Sequence, residues 1–135
     1  MKKFLPVASL FLVACVFAGC AASDTASIPR TVAVTKSTNG GMITLNKGDA
    51  LTVTLDGNPT TGYRWEYIAG KEAILSLQGD PQFKPASSAI GSPGEVTFNF
   101  KARQSGSQSL ELVYGRSFEK DQPPLAAYKA KVMVR

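Results

Sequence analysis

The 135-residue chain contains no histidine. That absence excludes Ser-His-Asp and Cys-His nucleophilic pairs, and with them every zinc site that uses imidazole. Cysteine is nearly as scarce. Cys15 and Cys20 are the two present, and both lie at the start, so the body of the chain has no thiolate nucleophile and no internal disulfide. P-loop and dinucleotide fingerprints are missing. No Asp-rich run has the spacing of a calcium loop. Glu119 and Asp121 stand two apart and read as solvated loop carboxylates rather than a paired acid and base. The chain is therefore expected to need no cofactor and no metal, and to be no enzyme. A run of basic residues is also lacking, so the formal charge of +5 gives no reason to expect a nucleic acid partner. It suits solubility or a mildly acidic partner.

The one long apolar run stands at the beginning. Met1-Lys2-Lys3 is followed by Phe4 to Phe17 and then by Phe17-Ala18-Gly19-Cys20. A basic start, a short apolar stretch and small residues describe a secretory signal. The stretch is shorter than the roughly 18 to 20 residues that span a bilayer. Ala18-Gly19-Cys20 also resembles a bacterial lipobox, in which the cysteine is lipidated and becomes the mature N-terminus. Leu12-Val13-Ala14-Cys15 fits that pattern too, so Cys15 remains the alternative. Cys20 is preferred because the polar, small-residue stretch Ala21 to Ser27 follows it. The expected organisation is a signal peptide at 1–19, a flexible linker at 20–30 and a folded domain at 31–135. Cleavage before Cys20 removes Lys2 and Lys3, which takes the formal charge from +5 to +3. The lipid would hold the domain on a membrane of a bacterial cell envelope. Ala21 is not the Asp associated with inner-membrane retention, so the outer membrane is favoured.

Beyond the linker the apolar residues alternate. Leu51, Val53 and Leu55 make one set, and Tyr63, Trp65 and Tyr67 a second. Val96, Phe98, Phe100 and Ala102 make a third, Leu110, Leu112 and Tyr114 a fourth, and Tyr128, Ala130, Val132 and Val134 a fifth. A period of two repeated this often predicts half-buried antiparallel strands. No segment has a clear period of 3.6; residues 71–77 come nearest. Turn signals such as Asn39-Gly40-Gly41, Lys47-Gly48-Asp49, Ser105-Gly106 and Pro123-Pro124 separate the runs. The reading is all-β: an immunoglobulin-like sandwich of about seven strands, with Trp65 in its core. The strands are placed at 31–45 (broken by the Gly pair), 50–56, 63–68, 73–78, 95–103, 108–115 and 126–134. Alternating strand direction then puts the connections 57–62, 79–94 and 115–125 at one end. These are the long or chemically unusual ones. Binding residues concentrate on loops held by a rigid scaffold, so this pole is the expected working surface.

The first of these loops reads Asn58-Pro59-Thr60-Thr61-Gly62-Tyr63. Proline fixes one φ, glycine permits a positive one, and Asn and Thr can bond their own backbone. The loop is thus stiff, with small side chains at its tip. Here the chain resembles the chagasin family, small immunoglobulin-like inhibitors of papain-like cysteine peptidases. The family's first motif, Asn-Pro-Thr-Thr-Gly followed by Phe or Tyr, stands intact at 58 to 63. Its Gly-x-Gly-Gly loop resembles Gly91-Ser92-Pro93-Gly94, with proline at the middle glycine. Its Arg-Pro-Trp or Arg-Pro-Phe motif resembles Arg116-Ser117-Phe118, with serine at the proline. The resemblance runs from about Val32 to Val134.

That resemblance implies a reversible inhibitor, monomeric, whose partner is a papain-like cysteine peptidase. It implies a wedge: Thr60, Thr61 and Gly62 nearest the enzyme's thiolate, Gly91 to Gly94 along one wall of the cleft, and Arg116 and Phe118 on the other. Ser117 leaves the third loop freer than proline would, and Pro93 removes one backbone donor. The competing reading is an immunoglobulin-like surface module that binds an envelope protein or a glycan and inhibits nothing, since fold alone does not separate the two.

Overall fold

The computed structural model describes residues 28–71 and 74–135. The signal segment, Cys15, Cys20 and the first part of the linker lie outside the described residues. Among the described residues there are nine strands: β1 Thr31–Thr35, β2 Met42–Leu45, β3 Ala50–Gly57, β4 Arg64–Ile68, β5 Leu75–Leu77, β6 Gln82–Pro85, β7 Gly94–Ala102, β8 Gly106–Gly115 and β9 Ala126–Val134. They form two sheets, one ordered β1-β3-β7-β5 with β6 also on β7, the other β2-β9-β8-β4. The all-β immunoglobulin-like sandwich expected from alternation is what the chain forms.

Alternation also located the core. Leu51, Val53, Leu55, Phe98, Phe100, Leu110, Leu112, Tyr128, Val132 and Val134 are buried between the sheets, joined by Ile43 and Leu45. Each large side chain of this kind contributes about 1.5–3 kcal/mol through burial. Trp65 departs from the reading. It is half-buried and packs against the margin of the core, its ring nitrogen donating to the Asp56 carbonyl (2.8 Å).

Two further features differ from a simple antiparallel array. The 31–45 segment changes sheets in mid-course, so that β1 pairs with β3 and β2 with β9, both in parallel. A 3-10 turn at Lys36–Thr38 begins the crossing, and Asn39 completes it. The Asn39 side chain accepts from Lys129 N–H (2.9 Å) and donates to the Ala127 carbonyl (3.3 Å), standing in for a strand backbone on β9. The second departure is β6, which lies inside what reads as the loop 79–94. It pairs with β7 from Gln82↔Thr97 to Pro85↔Gly94. Its exposed residues give no alternating pattern to read, and the pairing of one edge strand is a tertiary choice. The true loop is shortened to 86–93.

At the end where β3 starts, Asp49 is 1% exposed. Its carboxylate accepts from Arg30 N–H and Asn46 N–H, both at 2.9 Å, and faces the Arg30 guanidinium at 3.6 Å. These N–H donors, with the nearby guanidinium, hold its carboxyl below the ordinary carboxylate range.

Candidate functional site

β3, β7 and β8 run so that residues 58–62, 86–93 and 115–125 emerge at one pole. The loops also bond to one another. Asn58 Nδ2 donates to the Gly91 carbonyl (3.1 Å), joining the first loop to the second. Arg116 Nη2 donates to the Thr61 carbonyl (3.2 Å), joining the first to the third. The first loop is therefore held from both sides.

Its own shape follows from its residue types. Pro59–Thr61 is one 3-10 turn with Asn58 as its cap. Proline suits this first position because its φ is preset and its missing N–H would have no partner there. The Asn58 side-chain oxygen accepts from Thr60 N–H (3.2 Å) and from the Thr60 hydroxyl. Thr61 Oγ1 donates to the Asn58 carbonyl (2.7 Å), and Gly62 N–H closes the turn on the Pro59 carbonyl (3.1 Å). Gly62 has φ +82°, a conformation that costs other residues about 1–2 kcal/mol. Both threonine hydroxyls are thus spent inside the loop. The crest carries no charged side chain.

Beneath the pole lies a column of rings. Trp65 stacks on Tyr114 (5.1 Å between centroids), its cross-strand partner, and Tyr114 meets Tyr63 (5.5 Å). The Arg116 guanidinium caps the column, 4.4 Å from the Tyr63 centroid. The Tyr114 hydroxyl accepts from Asn58 N–H (3.0 Å), so the column also fixes the start of the first loop. Tyr114 was legible in the sequence as one more alternating apolar residue; its support of the loop was not.

Arg116 is engaged inward. Besides Thr61 and Tyr63 it meets Glu119 (3.2 Å), and Glu119 N–H donates to the Arg116 carbonyl (3.1 Å). This turn-closing pair orders the segment in which serine replaces proline. Phe118, by contrast, is 71% exposed, and Ser117 is exposed beside it.

The second loop is tied by its serines. Ser87 N–H and Oγ both donate to Ser92 Oγ (3.2 and 3.0 Å), and Ala86 N–H donates to the Pro93 carbonyl (2.9 Å). Gly94 belongs to β7. A Cβ there would lie 2.1 Å from the Lys84 carbonyl oxygen, so glycine is required by the close approach of β6. Ile90 is fully exposed at the tip of this loop, next to the Gly91 carbonyl that Asn58 holds. It belongs to none of the three motifs, although an isoleucine between loop residues such as Ala89 and Gly91 is a visible signal in the sequence. The site as assembled is a blunt, uncharged crest at Thr60-Thr61-Gly62 with one exposed apolar side chain on either flank.

This geometry can be set beside known proteins. The profile described as "Chagasin family peptidase inhibitor I42" matches residues 44–132. Chagasin of Trypanosoma cruzi is 30% identical over 88 residues, covering 62% of this chain and 79% of that protein. Amoebiasin-2 of Entamoeba histolytica is 24% identical over 103 residues, 76% of this chain and 84% of its own. Among solved structures, the cysteine protease inhibitor EhICP2 from Entamoeba histolytica shares the fold with a TM-score of 0.66 at 23% identity, over 78% of this chain and 96% of that one. Leishmania mexicana ICP is similar at 29% identity, with a TM-score of 0.54 over 70% of this chain and 87% of that one. The matched region takes in β3 to β8, most of β9 and all three loops of the pole, and the chain belongs to the chagasin family of peptidase inhibitors.

Proposed function

We propose that the chain is a reversible, non-catalytic inhibitor of papain-like cysteine peptidases that seats the crest Thr60-Thr61-Gly62 over the catalytic thiolate. The observation that carries this reading is the cross-tied first loop. It is bonded to both neighbouring loops and to Tyr114, so little conformational freedom remains to be lost on association, which favours affinity. The crest carries no acid that would repel a thiolate. Phe118 and Ile90, exposed on the two loops that flank it, fit the role of apolar anchors on the two walls of a cleft. Arg116 holds Phe118's loop in place from behind.

The same bonds explain resistance to cleavage. A scissile carbonyl must align with both the nucleophile and the oxyanion donors. The Asn58 and Pro59 carbonyls accept bonds that close the turn, and the Thr61 carbonyl accepts from Arg116. Attack at any of them requires the turn to open first.

Titration of a papain-like peptidase with the protein, followed with a small fluorogenic substrate, tests the reading. Competitive, reversible inhibition is expected, and no inhibition at micromolar protein would sink it. Replacing Thr61 with Glu places bulk and negative charge at the crest. Unchanged inhibition by that variant would mean that the first loop is not the wedge.

The proposal extends to location: export to a bacterial envelope, with a lipid on Cys20 holding the domain on the outer membrane. The basic-apolar-small order of residues 1–20 supports it. Metabolic labelling with a fatty acid is expected to mark the chain and to fail in Cys20→Ser. Persistence of the label would assign the lipid to Cys15.

A further inference from the structure

The pole opposite the binding loops has a charge pattern of its own. β3 leaves it at Ala50 and reaches the loops at Gly57, roughly 25 Å away at about 3.3 Å per residue. Arg30 stands there before β1, against Asp49. Lys47 N–H donates to the Arg135 carbonyl (3.0 Å), and Gly48 N–H to the Ala102 carbonyl (2.8 Å), which adjoins Arg103. Lys101 lies opposite Ala50 in the β3–β7 register. Arg30, Lys47, Lys101, Arg103 and Arg135 therefore form one cap, and all are exposed. The acid in loops 46–49 and 103–105 is Asp49, buried and already bonded. Exposed acids at Asp56, Glu95 and Asp121 lie toward the other end, with Glu66 and Asp80 between the two.

The chain enters the domain at this same cap, because Thr31 pairs with Ala50. Ile28, 84% exposed, puts an apolar side chain just ahead of the cations. We propose that the basic cap docks on an anionic phospholipid bilayer and seats the domain with its binding loops turned away from the membrane. The proposal rests on the lipid tether read at Cys20. Cys20 and Ile28 are eight residues apart, so at most about 30 Å of chain separates them. The cap is thus kept within a few Debye lengths, about 8 Å each, of the headgroups. Lys and Arg held there are drawn to anionic lipid, and one acyl chain with a basic patch anchors more firmly than the chain alone.

Lysine acylation of the full-length protein tests this on vesicles of phosphatidylcholine alone and on vesicles that also contain phosphatidylglycerol. Labelling of Lys47 and Lys101 is expected to fall about fivefold on the anionic vesicles and to recover in high salt, with Lys84 and Lys120 unchanged. The double variant Lys47→Glu, Arg103→Glu is expected to lose that protection and keep its inhibition of the peptidase. Attachment to both vesicle types with equal labelling would overturn the docking surface and leave the tether standing. Attachment to anionic vesicles alone, with the cap protected, would support the docking surface and remove the tether. Attachment to neither would overturn both. Protection of the cap by heparin without vesicles, to the same extent, would reassign it to another polyanion and overturn the membrane reading.

Discussion

Gly62 and Asp49 show how single residues hold the two ends of the domain. Gly62 occupies a left-handed backbone conformation in the closing position of the first loop. Gly62→Val should cost about 1–2 kcal/mol of stability and weaken inhibition by more than that cost explains, because the crest itself is displaced. Thermal unfolding and inhibition measured on the same preparation separate the two effects. Asp49 accepts two N–H bonds and faces a guanidinium, which lowers its carboxyl from the ordinary value near 3.9. Its contribution to stability is therefore complete above about pH 4 and is lost as pH falls through the lowered folded value. Urea unfolding should show the wild type losing stability across that acid range, with Asp49→Asn less stable at neutral pH and less sensitive to acid. Asp49→Ala should cost about 1–3 kcal/mol, since two part-buried N–H donors lose their acceptor.

At the scale of elements, the loops depend on strands that take no part in contact. β6 shortens the second loop and is admitted to the sheet because Gly94 has no side chain. Gly94→Val should push β6 off β7, and hydrogen exchange should then rise across 82–97 while β8 and β9 stay protected. The ties between loops are equally open to test. Asn58→Ala removes the turn cap and the bond to Gly91 together, and a cap loss is worth about 1 kcal/mol; inhibition should fall with faster dissociation. Glu119→Gln loosens Arg116 in the segment where Ser117 stands. The expected result is weaker inhibition that Ser117→Pro partly restores, read from a double-mutant cycle. Additive effects in that cycle would mean that Glu119 does not order the loop.

The described residues form a sandwich with the three loops at one pole and the exposed cations at the other. The first loop is braced on the sheets through the ring column Trp65–Tyr114–Tyr63 and the Tyr114 hydroxyl. The opposite pole carries the chain's entry and the exposed cations. The proposed inhibition and the proposed membrane docking therefore use opposite ends of one axis. A Cys20→Ser protein recovered in soluble form should inhibit a peptidase in solution as well as the lipidated one does.

The sequence by itself determined the fold class, most of the core and the chemistry of the first loop. Alternation records burial on one face of a strand, and Asn, Pro, Thr and Gly carry the local geometry of the turn in their own covalent structure. Trp65 was misjudged because alternation gives the direction of a side chain and not its depth; at the end of the sheet, inward still means half-buried. The crossing of β1 to β2 between sheets and the parallel pairings had no local signature, since a parallel partner is chosen across the fold. β6 was invisible for the same reason, its four exposed residues being given a strand only by the edge of β7. The tertiary structure alone decided that both threonine hydroxyls turn inward, that Arg116 braces the first loop, and that Ile90 stands beside the crest. Each of these joins residues from different loops, and a bond across loops exists only once the sandwich has brought their ends together.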